Sequence, residues 1–318
     1  MVTNNNFNSR FFNQLDVHNH VVTKRSHDKA KIQKEYHFYH LIPAQMQTWM
    51  VEPSNYQENT DIASYQMPFI SEPDLAKRLV DGTIPPQEFS FILDEFFRFI
   101  DSRPTKFLPR KNHAQSAQTL YLDKIATRIN SLKSFPLYKT LSQDIPLYTK
   151  YKTIDDIFYD YETLYHLITS TIQPSPIVAI SHGDLCFSNA FFIPNTKQLL
   201  FIDPRGALTP DELYLDHYYD IAKLSHSICG NYDYFNAKKF HLDSSQGLQI
   251  ILSPQHSTYQ RIFKTSLTNE HHYSYQLTRL YEASLFLSML PLHIDYPPKV
   301  LGFILNAINI MEELKHEI

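Results

Sequence analysis

Two apolar runs enclose a stretch crowded with polar side chains, and this arrangement constrains the chain more than any other feature. The stretch reads SHGDLCFSNAFFIPNTKQLLFIDPRG over residues 181–206, and the runs IVAIS (177–181) and LLFID (199–203) are typical of buried strands. Only 6 of the 318 residues are glycine, yet Gly183 and Gly206 both fall here. Glycine tolerates positive φ and the close approach of another backbone segment. The stretch therefore predicts two shaped loops, each at the end of a strand.

Three oxygen-bearing side chains lie in these loops. Asp184 and Asn189 are five residues apart, and Asp203 follows Asn189 by 14 residues. If the two apolar runs pair as a hairpin, the loops meet in one small volume. An amide oxygen and a carboxylate suit Mg²⁺, which keeps waters and takes further ligands from nucleotide phosphates, so Asn189 and Asp203 are predicted metal ligands. Asp184 then remains to orient an attacking hydroxyl group and to accept its proton.

The segment HGDLCFSN followed by FIDPRG resembles the catalytic loop and the metal-binding aspartate of aminoglycoside phosphotransferases and choline kinases. It is most similar to bacterial kinase-like proteins encoded with capsule and surface-polysaccharide genes. The resemblance spans roughly residues 20–230. It implies an α+β, protein-kinase-like fold, with a reduced β-rich N-terminal lobe (1–70) that binds ATP and a large helical C-terminal lobe (71–318) that carries catalysis and acceptor binding.

The resemblance also implies functional residues in the N-terminal lobe. A kinase-like fold needs a strand lysine and a helix glutamate, and Lys24 in VVTKRS and Glu35 in KIQKEYHFY fit these places. An ion pair between them would hold Lys24 against the α- and β-phosphates of ATP. The run MPFI (67–70), with Met67 and Phe69, falls where the hinge between the lobes would offer backbone groups to adenine.

One part of the usual kinase pattern is missing. The first glycine of the chain is Gly82, so no glycine-rich loop precedes the predicted strands. Asn8 and Ser9 in NNNFNSRFF are predicted to meet the phosphates instead. In the segment YYDIAKLSHS, Asp220 matches a residue that braces the catalytic loop in these kinases.

Local patterns predict the order of the elements. Strands are expected within 7–24, with a turn at Asp16–Asn19, and at 46–51 and 63–70, with a polar loop between the last two and a helix over 27–42. Helices are then expected over 85–103, 114–134, 153–172, 215–229, 257–290 and 297–316.

Ordinary structural interpretations remain open for each of these residues. Asp and Asn commonly cap turns, and Lys24 with Glu35 would also fit a surface ion pair. His182 is expected to support its loop by hydrogen bonding, and Cys186 to pack in the interior. Arg205 either braces the metal loop or forms a surface salt bridge.

Composition excludes several classes of protein. Hydrophobic residues make up 43% of the chain and charged residues 19%, as in folded globular proteins. A formal net charge of −4 offers no electrostatic attraction to nucleic acid. Two cysteines outside any CxxC pair argue against a disulfide framework. With no long apolar run and no apolar core in MVTNNNFNSRFF, we expect a cytoplasmic protein without a membrane span; the sequence does not indicate an oligomeric state.

The predicted activity is phosphoryl transfer from ATP to a hydroxyl group of a small molecule, either a sugar or an amino-alcohol. The resemblance implies a role in surface-polysaccharide biosynthesis. Two alternatives stay open. An aminoglycoside kinase would need an acidic pocket, for which Asp211, Glu212 and Asp216 are candidates, and an inactive nucleotide-binding regulator would fit the missing glycine-rich loop.

Overall fold

A small antiparallel sheet forms the N-terminal part of the chain, as a computed structural model describes for residues 13–317. The sheet has four strands in the order β1-β2-β4-β3. The elements are β1 (Asn13–His18), β2 (Val21–Ser26), α1 (Lys29–Leu41), α2 (Ala44–Gln47), β3 (Ser54–Glu58) and β4 (Ala63–Pro68). Asn8 and Ser9 lie outside the described residues, so their predicted contact with phosphates stays a prediction.

Buried and partly exposed residues alternate along β2, and the buried ones lie on the side of the sheet that faces α1. Val22, Lys24 and Ser26 are buried, whereas the residues between them are partly exposed. On the same face, Tyr65 of β4 packs with Ile32 of α1. The alternation therefore carries Lys24 into an apolar layer, where its ammonium group needs partners.

Helices dominate the rest of the chain. They are α3 (Leu75–Val80), α4 (Pro86–Ser102), α5 (Arg110–Gln118), α6 (Lys124–Lys133), α7 (Tyr138–Tyr148), α8 (Ile154–Ile172), α9 (Tyr219–Ile228), α10 (Tyr232–Asn236), α11 (His256–Thr265), α12 (Tyr275–Met289) and α13 (Pro297–His316). Between them lie β5 (Thr105–Phe107), β6 (Ile177–Ile180), β7 (Ala190–Ile193), β8 (Gln198–Phe201), β9 (Tyr214–Asp216), β10 (Phe240–Asp243) and β11 (Gly247–Ile250). Within residues 13–317, no helix combines the length and the apolar character needed to cross a bilayer.

The strand pairing around the two loops differs from the prediction. The runs IVAIS and LLFID do not form a hairpin with each other: β6 pairs with β5 and β9, and β8 pairs with β7. The run that follows Asn189 supplies β7, which needs only a short turn to reach β8 and is therefore the nearer partner. The loops still meet, because Ile202 N–H donates to Asn189 O over 3.0 Å.

The predicted strand at 46–51 is wrong in its first half. Residues 44–47 form α2, which buries Met46 completely. The following residues pair with the C-terminal lobe instead of the N-terminal sheet, since Phe201 N–H donates to Trp49 O over 2.7 Å and Val51 N–H donates to Phe201 O over 3.0 Å. The predicted polar loop before 63–70 contains β3. This segment thus links the two lobes.

Two predicted helices are divided, and a third is shorter than expected. A π-helical turn over 119–123 separates α5 from α6. Residues 271–274 separate α11 from α12, with His272 in the left-handed region at φ 57°. The first part of the predicted helix 215–229 belongs to β9. Such breaks depend on local backbone geometry that apolar periodicity does not report.

Aromatic packing against α4 fixes both functional loops in place. Phe96 of α4 stacks on Phe187 of the predicted catalytic loop (residues 182–189), with ring centroids 5.6 Å apart. Phe99, also of α4, contacts Phe201 of β8 edge-on at 4.9 Å. All four side chains are buried. Rings of this size contribute strongly to a core, so α4 is the rigid support from which the site is built.

Candidate active site

A buried lysine joins the N-terminal sheet to the metal loop. Lys24 Nζ lies 2.7 Å from Glu35 Oε2 and 2.7 Å from Asp203 Oδ1. The side chains of Lys24 and Glu35 are each 1% exposed, whereas that of Asp203 is 33% exposed. Tyr65 donates its hydroxyl to Glu35 over 3.1 Å. The structure thus contains the predicted ion pair in a buried place, so the surface-pair interpretation is excluded.

The charges of Lys24 and Asp203 stabilise each other. Burial lowers the pKa of Lys24, but the carboxylates of Asp203 and Glu35 outweigh it and hold the pKa above its ordinary value. Burial raises the pKa of Asp203, but the Lys24 ammonium outweighs it and leaves that pKa lowered. Lys24 is therefore charged and Asp203 ionised at neutral pH.

The metal loop has a backbone conformation that most residues avoid. Asp203 lies in the left-handed region at φ 56°, and Gly206 follows at φ 82°. Gly206 also touches α1: an added Cβ would lie 2.4 Å from the backbone carbon of Lys34. The next residue, Ala207, donates its N–H to Lys34 O over 3.1 Å. Strained backbone of this kind persists only where its surroundings hold it, and here α1 is the support.

Replacing Gly206 with alanine should therefore destabilise the protein more than an equivalent change elsewhere. Gly247 is the matched control, because it has φ 75° but nothing within 4 Å of an added Cβ. We expect Gly247→Ala to cost about 1–2 kcal/mol of unfolding free energy from backbone strain alone, and Gly206→Ala to cost distinctly more. Urea denaturation of both variants measures this, and equal losses would contradict a close contact between the metal loop and α1.

A buried carboxylate holds the catalytic loop. Asp220, at the start of α9, accepts hydrogen bonds from His182 N–H over 2.9 Å and Gly183 N–H over 2.8 Å. Arg103 donates to the same carboxylate over 2.7 Å. The bracing contact expected for Asp220 is thus present, and Arg103, which follows α4, is a partner that the sequence did not indicate.

His182 ties the two loops together and does not face the reacting groups. Its Nδ1 accepts from Asp184 N–H over 3.2 Å, so Nε2–H donates to Ile202 O over 3.0 Å. Burial lowers the pKa of His182, which keeps the ring neutral as these two bonds require. Arg205 braces the same contact through its backbone, since its N–H donates to His182 O over 2.8 Å.

Gly183 and Cys186 have structural roles in this loop. An added Cβ at Gly183 would lie 2.5 Å from Arg205 Cβ, so only glycine permits the approach of the two loops. Cys186 is buried, and burial raises the pKa of its thiol, which disfavours the thiolate that a nucleophile needs. Cys186 therefore packs, as expected.

Asn189, a predicted metal ligand, is oriented by hydrogen bonds to Asp184. Its Nδ2 donates to Asp184 O over 2.9 Å and to Asp184 Oδ2 over 3.0 Å, which directs Oδ1 away from that residue. Asp203 offers the second hard oxygen donor. The described residues hold no group of three or more His, Cys, Asp or Glu side chains that fits a metal. A donor set this small suits Mg²⁺, which takes its other ligands from water and phosphate, so Asn189 and Asp203 fit the predicted ion.

A lysine that the sequence interpretation missed lies beside Asp184. Lys223 Nζ is 2.8 Å from Asp184 Oδ1, and the residue is 9% exposed. Burial lowers the pKa of Lys223, but the Asp184 carboxylate outweighs it and keeps the pKa above its ordinary value. Lys223 follows Asp220 by one helical turn, a spacing that places both on one side of α9. That spacing was the available signal.

The predicted hinge is only partly available to a nucleotide. Met67 lines the cleft between the lobes together with Tyr65 and Asp203. The backbone N–H of Phe69, in contrast, donates to His20 O over 2.9 Å. This N–H is therefore already bonded within the N-terminal lobe, because the end of β4 is tied to the turn between β1 and β2, and contact of Met67 and Phe69 with adenine stays a prediction.

Comparison with known proteins identifies the fold. No protein-family model matches the chain, and no curated protein matches it either. A crystal structure of a thermostable mutant of aminoglycoside phosphotransferase APH(4)-Ia, in its apo form, is similar with a TM-score of 0.50 at 11% identity, covering 94% of this chain and 89% of that one. Two other structures are less similar, each with a TM-score of 0.42. One is an aminoglycoside-3'-phosphotransferase of type VIII, at 12% identity and covering 84% of each chain. The other is a Plasmodium vivax ethanolamine kinase, at 13% identity and covering 95% of this chain and 82% of that one. The α+β architecture that the motifs predict is therefore confirmed, and the chain has the fold of the aminoglycoside phosphotransferase APH(4)-Ia, with a small β-rich N-terminal lobe and a helical C-terminal lobe.

Proposed function

We propose that this protein is a kinase that uses ATP and Mg²⁺ to phosphorylate a hydroxyl group of a small molecule. One observation carries the proposal. The buried contact of Lys24 with Glu35 and Asp203 lies next to the loop that holds Asp184 and Asn189. The similar structure is that of a phosphotransferase, which agrees with this activity.

Each residue has a distinct task in the proposed reaction. Asp184 orients the acceptor hydroxyl and takes its proton. Asn189 and Asp203 would hold Mg²⁺, which when bound neutralises charge on the phosphates. Lys24 would bind phosphate oxygens, and Glu35 keeps its ammonium group in place. Lys24 contacts both Glu35 and Asp203, and its ammonium group has a third N–H donor for a phosphate oxygen.

The completeness of this set favours an enzyme over an inactive regulator. All five side chains are present in two adjoining groups, and Asp203 is ionised and partly exposed, as a metal ligand must be. The missing glycine-rich loop is the feature that favours an inactive nucleotide-binding regulator. Turnover of ATP with an acceptor distinguishes the two.

Of the three acids that would favour an aminoglycoside kinase, two are already paired and the third faces solvent. Asp216 is buried, where it lies 2.9 Å from the ring of His113 and accepts from Tyr121. Glu212 pairs with Lys34, and Asp211 faces solvent near Lys106. These three residues therefore no longer support an aminoglycoside kinase, which would need them in an acidic pocket. A sugar or amino-alcohol acceptor, and a role in surface-polysaccharide biosynthesis, remain the expectation from the motif resemblance.

Thermal unfolding with and without Mg·ATP tests the nucleotide site. A ligand at 100 times its Kd adds about 2.7 kcal/mol of stability, so the wild-type protein should show a Mg²⁺-dependent rise in Tm. Asp203→Ala should abolish that rise because it removes a metal ligand. Asp211→Ala, a change at a 96% exposed side chain, is the control and should keep it. No shift in the wild-type protein at millimolar Mg·ATP would overturn the proposal.

A further inference from the structure

A line of cationic groups extends from Asp184 along α9. Lys223 contacts Asp184, and Tyr219 precedes Lys223 by four residues, a spacing that places both on one face of the helix. Lys124 of α6 donates to the Tyr219 hydroxyl over 3.1 Å. The order in space is therefore Asp184, Lys223, Tyr219 and Lys124.

One cation of this line, Lys124, has no carboxylate partner among the described residues. Lys124 is half-buried and forms no ion pair with a carboxylate among residues 13–317, where its one polar partner is Tyr219. The carboxylate that pairs with Lys223 is Asp184 itself. Burial raises the pKa of Tyr219, but the charges of Lys124 and Lys223 outweigh it and leave that pKa below its ordinary value. A field that favours a phenolate also favours any other anion.

The acidic groups on the other side of the catalytic loop do not cancel this charge. Asp233 of α10 is buried beside Ser227, and burial raises its pKa to about 7, so it carries only part of a negative charge at neutral pH. Asp74 caps α3, where its carboxylate accepts from Lys77 N–H over 2.8 Å. Neither carboxylate pairs with Lys124.

The location of Lys124 points to the acceptor. In the proposed reaction the acceptor hydroxyl contacts Asp184, so the rest of the acceptor has to lie against the surface that leads away from Asp184. Lys223 and Tyr219 are buried and follow one another in one direction from Asp184, and the half-buried Lys124 ends that direction. Lys124 has no carboxylate partner among residues 13–317, and an anionic substituent on the acceptor would supply one.

We infer that the acceptor carries an anionic group, a carboxylate or a phosphate, which Lys124 and Tyr219 bind while the acceptor hydroxyl reaches Asp184. The inference rests on the proposed kinase function and narrows it to sugar acids, sugar phosphates and similar anionic alcohols, in place of amino-alcohols. The hydroxyl oxygen forms a bond to the γ-phosphorus, and the bond between that phosphorus and the bridging oxygen breaks with its electron pair leaving on ADP. The hydroxyl proton passes to Asp184.

A matched series of hexoses tests the charge preference. Glucose, glucosamine, glucuronate and glucose 6-phosphate differ mainly in charge, and kanamycin and choline extend the cationic arm. ATP consumption is measured with each, together with the Tm of the Mg·ADP-bound protein. We expect glucuronate or glucose 6-phosphate to exceed glucose by about tenfold or more in kcat/KM or in affinity, since a hydrogen bond to a charged group commonly contributes that much. Whichever of glucuronate and glucose 6-phosphate has the higher kcat/KM or affinity shows whether the anionic group is a carboxylate or a phosphate.

Variants of α6 test the residue that is proposed to bind the anion. Lys124→Gln should raise KM for the preferred anionic acceptor by about tenfold and leave KM for ATP unchanged. Lys133→Gln is the control, because Lys133 is on the same helix but pairs with Asp155 at the surface. Lys124→Glu should shift the preference from anionic towards cationic members of the series.

The outcomes separate this inference from the function on which it rests. Turnover that favours glucose, glucosamine, kanamycin or choline would overturn the anionic acceptor and leave the kinase in place. The absence of any charge preference in both readouts, or an unchanged KM in Lys124→Gln, would do the same. Failure of the wild-type protein to bind Mg·ATP would overturn both.

Discussion

Replacing Asp184 with asparagine is expected to lower kcat by about 10²–10⁴-fold, the range usual for loss of a general base. The amide keeps the shape of the side chain but cannot accept the hydroxyl proton. Lys24 and Asp203 are untouched, and Asn189 keeps its hydrogen bond to the backbone oxygen of residue 184, so the Mg²⁺-dependent thermal shift with ATP should remain. Acceptor-dependent release of ADP and the thermal shift are measured on the same preparation.

Two further variants make this result interpretable. Asp184→Asn leaves the buried Lys223 without its carboxylate, which destabilises the folded state. The double variant with Lys223→Gln removes that unpaired charge, and the loss of kcat should persist in it. Asp211→Asn, at an exposed carboxylate, should have wild-type kcat. Wild-type turnover by Asp184→Asn would show that another group accepts the proton.

Replacing Asp220 with alanine is expected to cost about 3–5 kcal/mol of unfolding free energy, because it leaves a buried guanidinium without its partner. The side chains of Arg103 and Asp220 are 1% and 0% exposed and lie 2.7 Å apart. The change also removes the acceptor for two backbone N–H groups, those of His182 and Gly183. Urea denaturation monitored by circular dichroism measures the loss.

A surface pair provides the comparison for this prediction. Lys77 and Asp81 are also 2.7 Å apart, but their side chains are 66% and 46% exposed, so Asp81→Ala should change stability little. Asp220→Asn should lie between the two, because its amide oxygen can still accept a backbone hydrogen bond. A loss in Asp220→Ala no larger than that in Asp81→Ala would show that the catalytic loop does not depend on this contact.

Residues close together in the sequence could be assigned before the fold was known. The catalytic loop and the metal loop lie within a span of 26 residues, from 181 to 206, and local chemistry marks them. Gly183 and Gly206 both have positive φ, as expected for two of the chain's few glycines that fall in these loops. Lys24 and Glu35 were predictable because a strand lysine and a helix glutamate belong to one recognisable pattern.

Contacts between distant segments were beyond the reach of such patterns. Arg103 meets Asp220 across 117 positions, and Lys124 meets Tyr219 across 95. Nothing in the neighbourhood of Lys124 distinguishes it from other lysines on amphipathic helices. Its role depends on what α9 places opposite it, and that depends on the packing of the whole C-terminal lobe.

Strand pairing shows the same difference between features that are local to the sequence and contacts between distant segments. Neighbouring residues alone indicate that IVAIS and LLFID are buried strands and that polar oxygen donors follow them, since these features are local to the sequence. Packing of distant segments sets the pairing of β6 with β5 and β9, the contact of the backbone around Trp49 with β8, the inward position of Lys24 and the contact of Lys223 with Asp184. A strand has two edges and several possible partners, and a helix side chain has no fixed opposite, so the choice among them is made by the packing of the whole chain.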